Sequence, residues 1–247
     1  MLLNIANKEY FPTILRKGIY RFKEMRSNKK RREIINWCEK NCEDILIFAK
    51  SLNIDLWNEA QRFEKKLKKH ANSILSSLNV NLGGGSYCSL IYFLIRLKKP
   101  KTIVETGVAA GFSTQTILSA IKKNGHGFLY SSDFPYFRIK DPEKYIGCIV
   151  DQKLKDNWKL YIKGDKRNIQ EIMRKIDKVD FLHYDSDKSY SGRKYIFNIL
   201  KSKLNADSIL MMDDIHDNAF FKNYTEKNEI LFRIFKYNNK FLGLIGI

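Results

Sequence analysis

Ile103-Val104-Glu105-Thr106-Gly107-Val108-Ala109-Ala110-Gly111-Phe112-Ser113-Thr114 runs from an apolar strand into small residues and then into a helix opened by Ser113 or Thr114. An apolar run that feeds a helix this way reads as a strand buried on both faces, the kind found in parallel sheets. Gly107 and Gly111 let the backbone pass close to a ligand, and the helix N-terminus offers N–H groups to it. Gly107, Ala109, Gly111 and Ser113 are therefore candidate ligand contacts. The spacing is not G-x-G-x-x-G. Glu105 stands two residues before the first glycine, which suits a cationic amino-acid ligand better than a pyrophosphate. Taken alone, the stretch also fits an ordinary tight strand-to-helix turn.

Downstream the same texture repeats. Strands are expected at Thr102–Thr106, Phe128–Asp133, Trp158–Lys163, Val179–Asp185 and Ser208–Asp213, with helices between them at about 114–123, 167–176 and 190–203. Alternating strands and helices imply an α/β fold with a doubly wound parallel sheet. Glu229–Lys236 and Lys240–Ile247 flank Tyr237-Asn238-Asn239 and read as a closing hairpin.

Ligands of such sheets bind at the carboxyl ends of the strands. Asp133 ends the second strand, about twenty residues past the glycines, where a carboxylate accepts hydrogen bonds from ribose hydroxyls; NAD and S-adenosylmethionine share that need. Gly164-Asp165 ends the third, within reach of an adenine amino group, although the pair equally suits a surface loop. Asp185-Ser186-Asp187-Lys188 follows the fourth and Asp213-Asp214-Ile215-His216 ends the fifth, so neighbouring strand ends bring several carboxylates over one crevice. Clustered carboxylates repel unless a cation or proton intervenes, and Mg²⁺ is the natural candidate. Asp185 or Asp187 capping the helix near Tyr190 is the alternative.

Upstream of residue 80 the pattern is helical, with Ile34, Ile35, Cys38, Ile45, Phe48 and Ala49 spaced along 31–51 and Leu56 through Leu78 along 54–78. Gly83-Gly84-Gly85-Ser86 reads as a flexible joint, followed by an apolar helix that Pro100 ends. The expected division is a helical extension over 1–80 and an α/β domain over 81–247.

At 247 residues and 44% hydrophobic content, the chain has room for one α/β domain with an appendage and a packed core. The longest apolar stretch, Cys88 to Ile95, falls well short of the ~20 residues of a membrane span, and the amino end carries no secretory signature. Cys38 and Cys42 alone make a weak zinc motif, so the four cysteines read as reduced thiols of a cytoplasmic protein. The net charge of +18 thickens at Lys29–Arg32 and Lys65–Lys69 and reads chiefly as solvated helix faces.

The order ETGVAAGFST, SSD, KGD, DSDKSY, MMDDIH resembles the class I S-adenosylmethionine-dependent methyltransferases. It is most similar to the branch of cephalosporin-hydroxylase-like and macrolide-sugar O-methyltransferases, and more distantly to catechol O-methyltransferase. The likeness covers about residues 83 to 247. It implies a Rossmann-like, seven-stranded sheet with the last strand antiparallel. It also implies that Glu105, Gly107 and Gly111 line the methionine end of the cofactor, that Asp133 holds the ribose and Asp165 the adenine, and that Asp185, close to both groups, serves cofactor and metal. Asp185, Asp213 and Asp214 would be Mg²⁺ ligands. The general base of these relatives falls at Lys188, where the nearer ones carry histidine in D-G-D-H; His216 is a second candidate base.

The function so implied is magnesium-assisted transfer of a methyl group to a hydroxyl of a sugar, glycan or other small molecule. RNA methylation, which the charge suggests, lacks an N/D-P-P-Y/F-type tetrapeptide and an RNA-binding module. A non-catalytic module that keeps the cofactor site is the other rival. The helices before residue 80 are expected to cover the acceptor or dock on an anionic polymer, or else to serve packing or self-association.

Overall fold

The computed structural model describes residues 15, 28–78, 80, 82, 85–136 and 139–247. The β1 strand, Thr102–Thr106, has the expected bounds; Ile103 and Val104 are both fully buried, as a central parallel strand requires. Parallel partners lie on either side of it: β2 (Phe128–Ser132) and β4 (Phe181–Tyr184). The β3 strand (Trp158–Tyr161) extends the sheet beyond β2, and β5 (Ile209–Met212) extends it beyond β4. A hairpin of β6 (Phe232–Tyr237) and β7 (Lys240–Ile245) completes it, with β7 antiparallel to both β5 and β6. The order is β3-β2-β1-β4-β5-β7-β6, seven strands. Strand order reverses between β1 and β4, so the crevice for a ligand opens there. The hairpin loop is two residues, Asn238 and Asn239 at φ 47° and 61°, and Tyr237 belongs to the strand. Two residues with positive φ give the loop whose twist matches its strands.

Helices cover both faces. Cys88–Lys98 (α4) and Phe112–Asn124 (α5) pack with Ile103, Leu129, Phe181 and Met211 on one face. Asp165–Met173 (α6), Tyr190–Leu200 (α7) and Phe220–Lys227 (α8) pack with Val104, Leu182, Leu210 and Met212 on the other. The α8 helix was not expected; its apolar Phe220, Phe221 and Tyr224 are too few for a long periodic signal.

The N-terminal helices complete both layers. Residues 31–51 are not one helix but two, α1 (Asn28–Lys40) and α2 (Ile45–Leu52). Between them the chain leaves the helix so that Glu43 N donates to Ile234 O, and Asp44 restarts it by accepting from Leu46 N and Ile47 N. From α1, Ile34 and Cys38 join the core beneath α8. Ile54–Leu75 forms α3, whose Trp57, 1% exposed, meets Tyr87 and Phe93 edge-on at 6.2 and 5.6 Å. Leu46, Ile47, Leu52 and Ile54 stay exposed on the outer side. Among the described residues no helix is long and apolar enough to cross a membrane. Gly83 and Gly84 of the expected joint lie outside the described residues, whereas Ser86 is buried and held.

One buried carboxylate ties α3 to the sheet. Glu64 accepts from Ser89 N at 2.8 Å and Tyr237 Oη at 2.9 Å, and pairs with Lys68 Nζ at 2.7 Å. Burial pushes its pKa up, but these donors pull it further down, below the usual glutamate value. A depressed folded pKa contributes stability that is complete above the unfolded value, near ~4.3, and is lost as pH falls through the folded one. Glu64→Gln is expected to cost about 2 kcal/mol at neutral pH. The gap between urea melts of the two proteins should begin to close as pH falls below about 4; a gap that persists undiminished in acid would assign the loss to shape rather than charge.

Candidate active site

The carboxyl ends of β1 and β2 are stapled by one side chain. Asp133 Oδ2 accepts from Val108 N at 3.1 Å and Ala109 N at 2.7 Å, while Oδ1 accepts from Phe134 N at 2.6 Å. This holds Ala109 in the left-handed region, φ 50°, which costs an alanine about 1 kcal/mol or more. Gly107 sits at φ +88°, and a Cβ there would lie 2.3 Å from the Asp185 carbonyl oxygen. A Cβ on Gly111 would meet Val150 Cγ2 at 2.8 Å and Gly147 Cα at 2.9 Å. Both glycines thus admit neighbouring chain, where the sequence suggested ligand. Gly111 is also the N-cap of α5 and brings no side-chain cap, so the first turn, with buried Ser113, keeps its N–H groups for another acceptor. Nearby, the buried Thr106 Oγ1 has no hydrogen-bond partner among the described residues.

Glu105 is fully buried, and its Oε2 accepts from Thr114 Oγ1 and Ser131 Oγ, each at 2.7 Å. It points to the same face as Ile103 and ties β2 to α5, while its Oε1 has no hydrogen-bond partner among the described residues. Asp165 begins α6 after Gly164, φ 83°, and accepts from Ser132 Oγ at 2.7 Å. With Lys166, Asp187, Ser191 and Tyr195 it lines a cavity between α6 and α7. Of the roles left open for the acids after β4, Asp187 takes the structural one: its Oδ1 accepts from Ser189 N, the N-cap residue of α7.

Asp185, Asp214 and Lys188 converge. Lys188 Nζ lies 2.5 Å from Asp185 Oδ1 and also donates to Asp214 Oδ2. Lys240 Nζ approaches Asp214 Oδ1 at 3.3 Å. Burial alone would lower the Lys188 pKa, but Asp185 and Asp214 raise it above the ordinary lysine value. In this arrangement Lys188 is held as an ammonium between the two carboxylates, where the sequence reading had a base. Burial and the neighbouring Asp213 carry the Asp185 carboxyl up to about 6, against the pull of Lys188 and His183.

His216 is corrected as well. Its Nδ1 accepts from Phe241 N at 3.3 Å, so in the neutral ring Nε2 carries the hydrogen and has no lone pair for a substrate proton. Burial keeps its pKa low.

Asp213, close to the other two acids, has partners of its own. Its Oδ2 accepts from Ser86 Oγ at 2.6 Å, and its Oδ1 faces His183 Nε2 at 3.8 Å. Ser86 Oγ also lies 3.0 Å from His183 Nε2. Beneath, the fully buried Arg193 donates through Nη2 to Asp213 O at 3.1 Å and Asp214 O at 2.9 Å, pinning Asp214 at φ 53°. Gly85, Ser86, Asp213, Asp214, Tyr237 and Lys240 line a second cavity beside this cluster. Its aromatic wall is stiffened by Tyr87 stacked on Tyr237, 4.2 Å between ring centroids.

The three acids expected to hold Mg²⁺ do not fit it. An ammonium joins two of them, the third is committed to Ser86, and among the described residues no three His, Cys, Asp or Glu side chains are grouped to hold a metal. Ser86, His183, Arg193, Tyr237 and Lys240 were missed. Two left a signal: a histidine inside the apolar strand Phe181-Leu182-His183-Tyr184, and an arginine on the apolar face of α7 beside Ile196 and Phe197.

Residues 104–215 match the family model described as a methyltransferase domain. No curated protein matches the chain. Among solved structures it is similar to the O-methyltransferase TomG of Streptomyces achromogenes, involved in tomaymycin synthesis and bound to S-adenosylmethionine. There the identity is 12% over 72% of this chain and 88% of the other, with a TM-score of 0.58. A Podospora anserina methyltransferase bound to S-adenosylhomocysteine is 15% identical over 88% and 96% of the two chains, TM-score 0.55. An O-methyltransferase from Bacillus cereus, also with S-adenosylhomocysteine, is 12% identical over 84% and 99%, TM-score 0.53. The sheet that carries residues 104–215 thus has the Rossmann-like fold of these O-methyltransferases.

Proposed function

We propose that the chain transfers the methyl group of S-adenosylmethionine to a hydroxyl of a sugar or similarly polar small molecule. One observation carries this reading: the cradle of Gly107–Gly111 and the aromatic cavity of Tyr237 share the Asp185–Lys188–Asp214 cluster. The cofactor fits the residues present. The uncapped first turn of α5 and the unpartnered Thr106 Oγ1 suit its amino-acid end, Asp133 its ribose, and the cavity beside Asp165 its adenine. When bound, it supplies an electrophilic methyl on a sulfonium.

The chain's own residues do the rest. Tyr237 offers an apolar face to the C–H side of a sugar ring, while Asp214 and Lys240 line the same cavity for its hydroxyls. Asp185 or Asp214 accepts the hydroxyl proton, and the Lys188 ammonium, held between them, stabilises the oxygen as it loses that proton. Charge of that kind counts most where the surroundings exclude water, and Asp214's side chain is only 8% exposed.

The test is calorimetric titration with S-adenosylhomocysteine, followed by transfer of labelled methyl to a panel of sugars. Asp214→Asn should cut transfer by about a hundredfold or more while cofactor binding is kept. Absence of S-adenosylhomocysteine binding by the wild type would overturn the reading.

A further inference from the structure

We propose that the ε-ammonium of Lys188 is the resident cation of the acceptor site, bridging carboxylates that a divalent ion would otherwise bridge, so that the site works without metal. The cluster is that of the function proposed above, but the inference concerns only what cation fills it.

Three carboxylates reach this part of the crevice, and each already has a cationic or polar partner from the same chain. Asp185 and Asp214 come from the ends of different strands and meet only through Lys188 Nζ, 2.5 Å from Asp185 Oδ1 and hydrogen-bonded to Asp214 Oδ2. The remaining oxygen of Asp214 lies 3.3 Å from Lys240 Nζ. Asp213 is held by Ser86 Oγ at 2.6 Å, and its other oxygen looks toward His183.

Magnesium demands near-octahedral oxygen donors at about 2.0–2.1 Å. Entry between Asp185 and Asp214 would put a divalent ion within a few ångströms of an ammonium, a repulsion that grows as water is excluded. Admitting the ion means expelling Lys188 from between the two acids. Position also matters. Three residues after Asp185, a lysine is long enough to fold back onto that carboxylate and still reach across to Asp214. Its side chain is 36% exposed, so the cluster stays within reach of solvent.

The experiment is titration of the purified full chain with Mn²⁺, followed by calorimetry and by the loss of free-ion electron paramagnetic resonance signal. No methyl donor is present, so the outcome is separate from that of the methyl-transfer test. The wild type is expected to show no saturable site tighter than about 1 mM. Lys188→Met, which leaves the carboxylates without their cation, should gain a site at least about tenfold tighter, which Asp214→Asn in the same protein removes again. Lys188→Gln is the second variant, because its amide can still hydrogen-bond both acids if the methionine chain does not fold; it too should gain Mn²⁺ binding. One equivalent bound tightly by the wild type and lost in Asp214→Asn would overturn the proposal. So would variants that fold and bind no Mn²⁺, since the ammonium would then not be what fills the place.

Discussion

Gly107→Ala is expected to lower the melting temperature by at least about 6 °C and to abolish measurable binding of S-adenosylhomocysteine. The reason is local and steric. At φ +88° an alanine is strained whatever the space, at about 1–3 kcal/mol. Its Cβ would lie 2.3 Å from the Asp185 carbonyl oxygen and 2.8 Å from the carbonyl carbon. Both are backbone atoms and cannot swing aside as a side-chain tip would. The loop after β1 must then part from the loop after β4, breaking Gly107 N to Ser132 O at 2.8 Å or Asp185 N to Thr106 O at 2.8 Å. Strain and overpacking together come to about 3–5 kcal/mol, which corresponds to the shift given. Differential scanning calorimetry reads the stability and titration calorimetry the binding. A variant that melts with the wild type would mean that the two loops do not meet at Gly107.

Asp133→Ala should weaken S-adenosylhomocysteine binding by about a hundredfold or more, with a loss of stability beside it. The carboxylate does two things at once. It neutralises the N–H groups of Val108 and Ala109, which keeps Ala109 in its left-handed conformation, and it stands at the strand end where a ribose arrives. Hydrogen bonds to a charged acceptor are worth about 1.5–3 kcal/mol each, so losing both leaves the loop without its anchor. Asp133→Asn retains one acceptor oxygen without the charge and should fall between the two, about tenfold weaker than the wild type. If Asp133→Ala binds within about threefold of the wild type, the carboxylate serves the loop alone and the ribose contact is wrong.

Much of the architecture could be read from the chain because it follows from local patterning. Ile103 and Val104, and likewise Phe181 and Leu182, are adjacent apolar pairs, and adjacent strand residues face opposite sides, so both sides had to be covered. The closing hairpin was legible from Asn238-Asn239, since asparagine tolerates positive φ. Asp133, Asp165 and the acids after β4 and β5 were candidates because strand ends are where such sheets bind ligands, and the structure places them at those ends. The break at Asp44 was missed although an N-cap residue stood there, because Ile45, Phe48 and Ala49 continue the apolar spacing of the preceding helix.

By itself, then, the sequence determined the alternation of strands and helices, the turns with positive φ and the places where chemistry could sit. Each depends on residues a few positions apart, within which side-chain period and backbone sterics decide. Only the tertiary structure decided how distant residues meet. Ser86 reaches Asp213 across 127 positions, Arg233 meets Glu43 across 190, and helices near the amino end fill both faces of the sheet. The charge state of Lys188 belongs to the same class. A lysine beside one carboxylate and near a metal could be neutral; a lysine clasped between Asp185 and Asp214 is an ammonium, because burial costs it less than two opposite charges return.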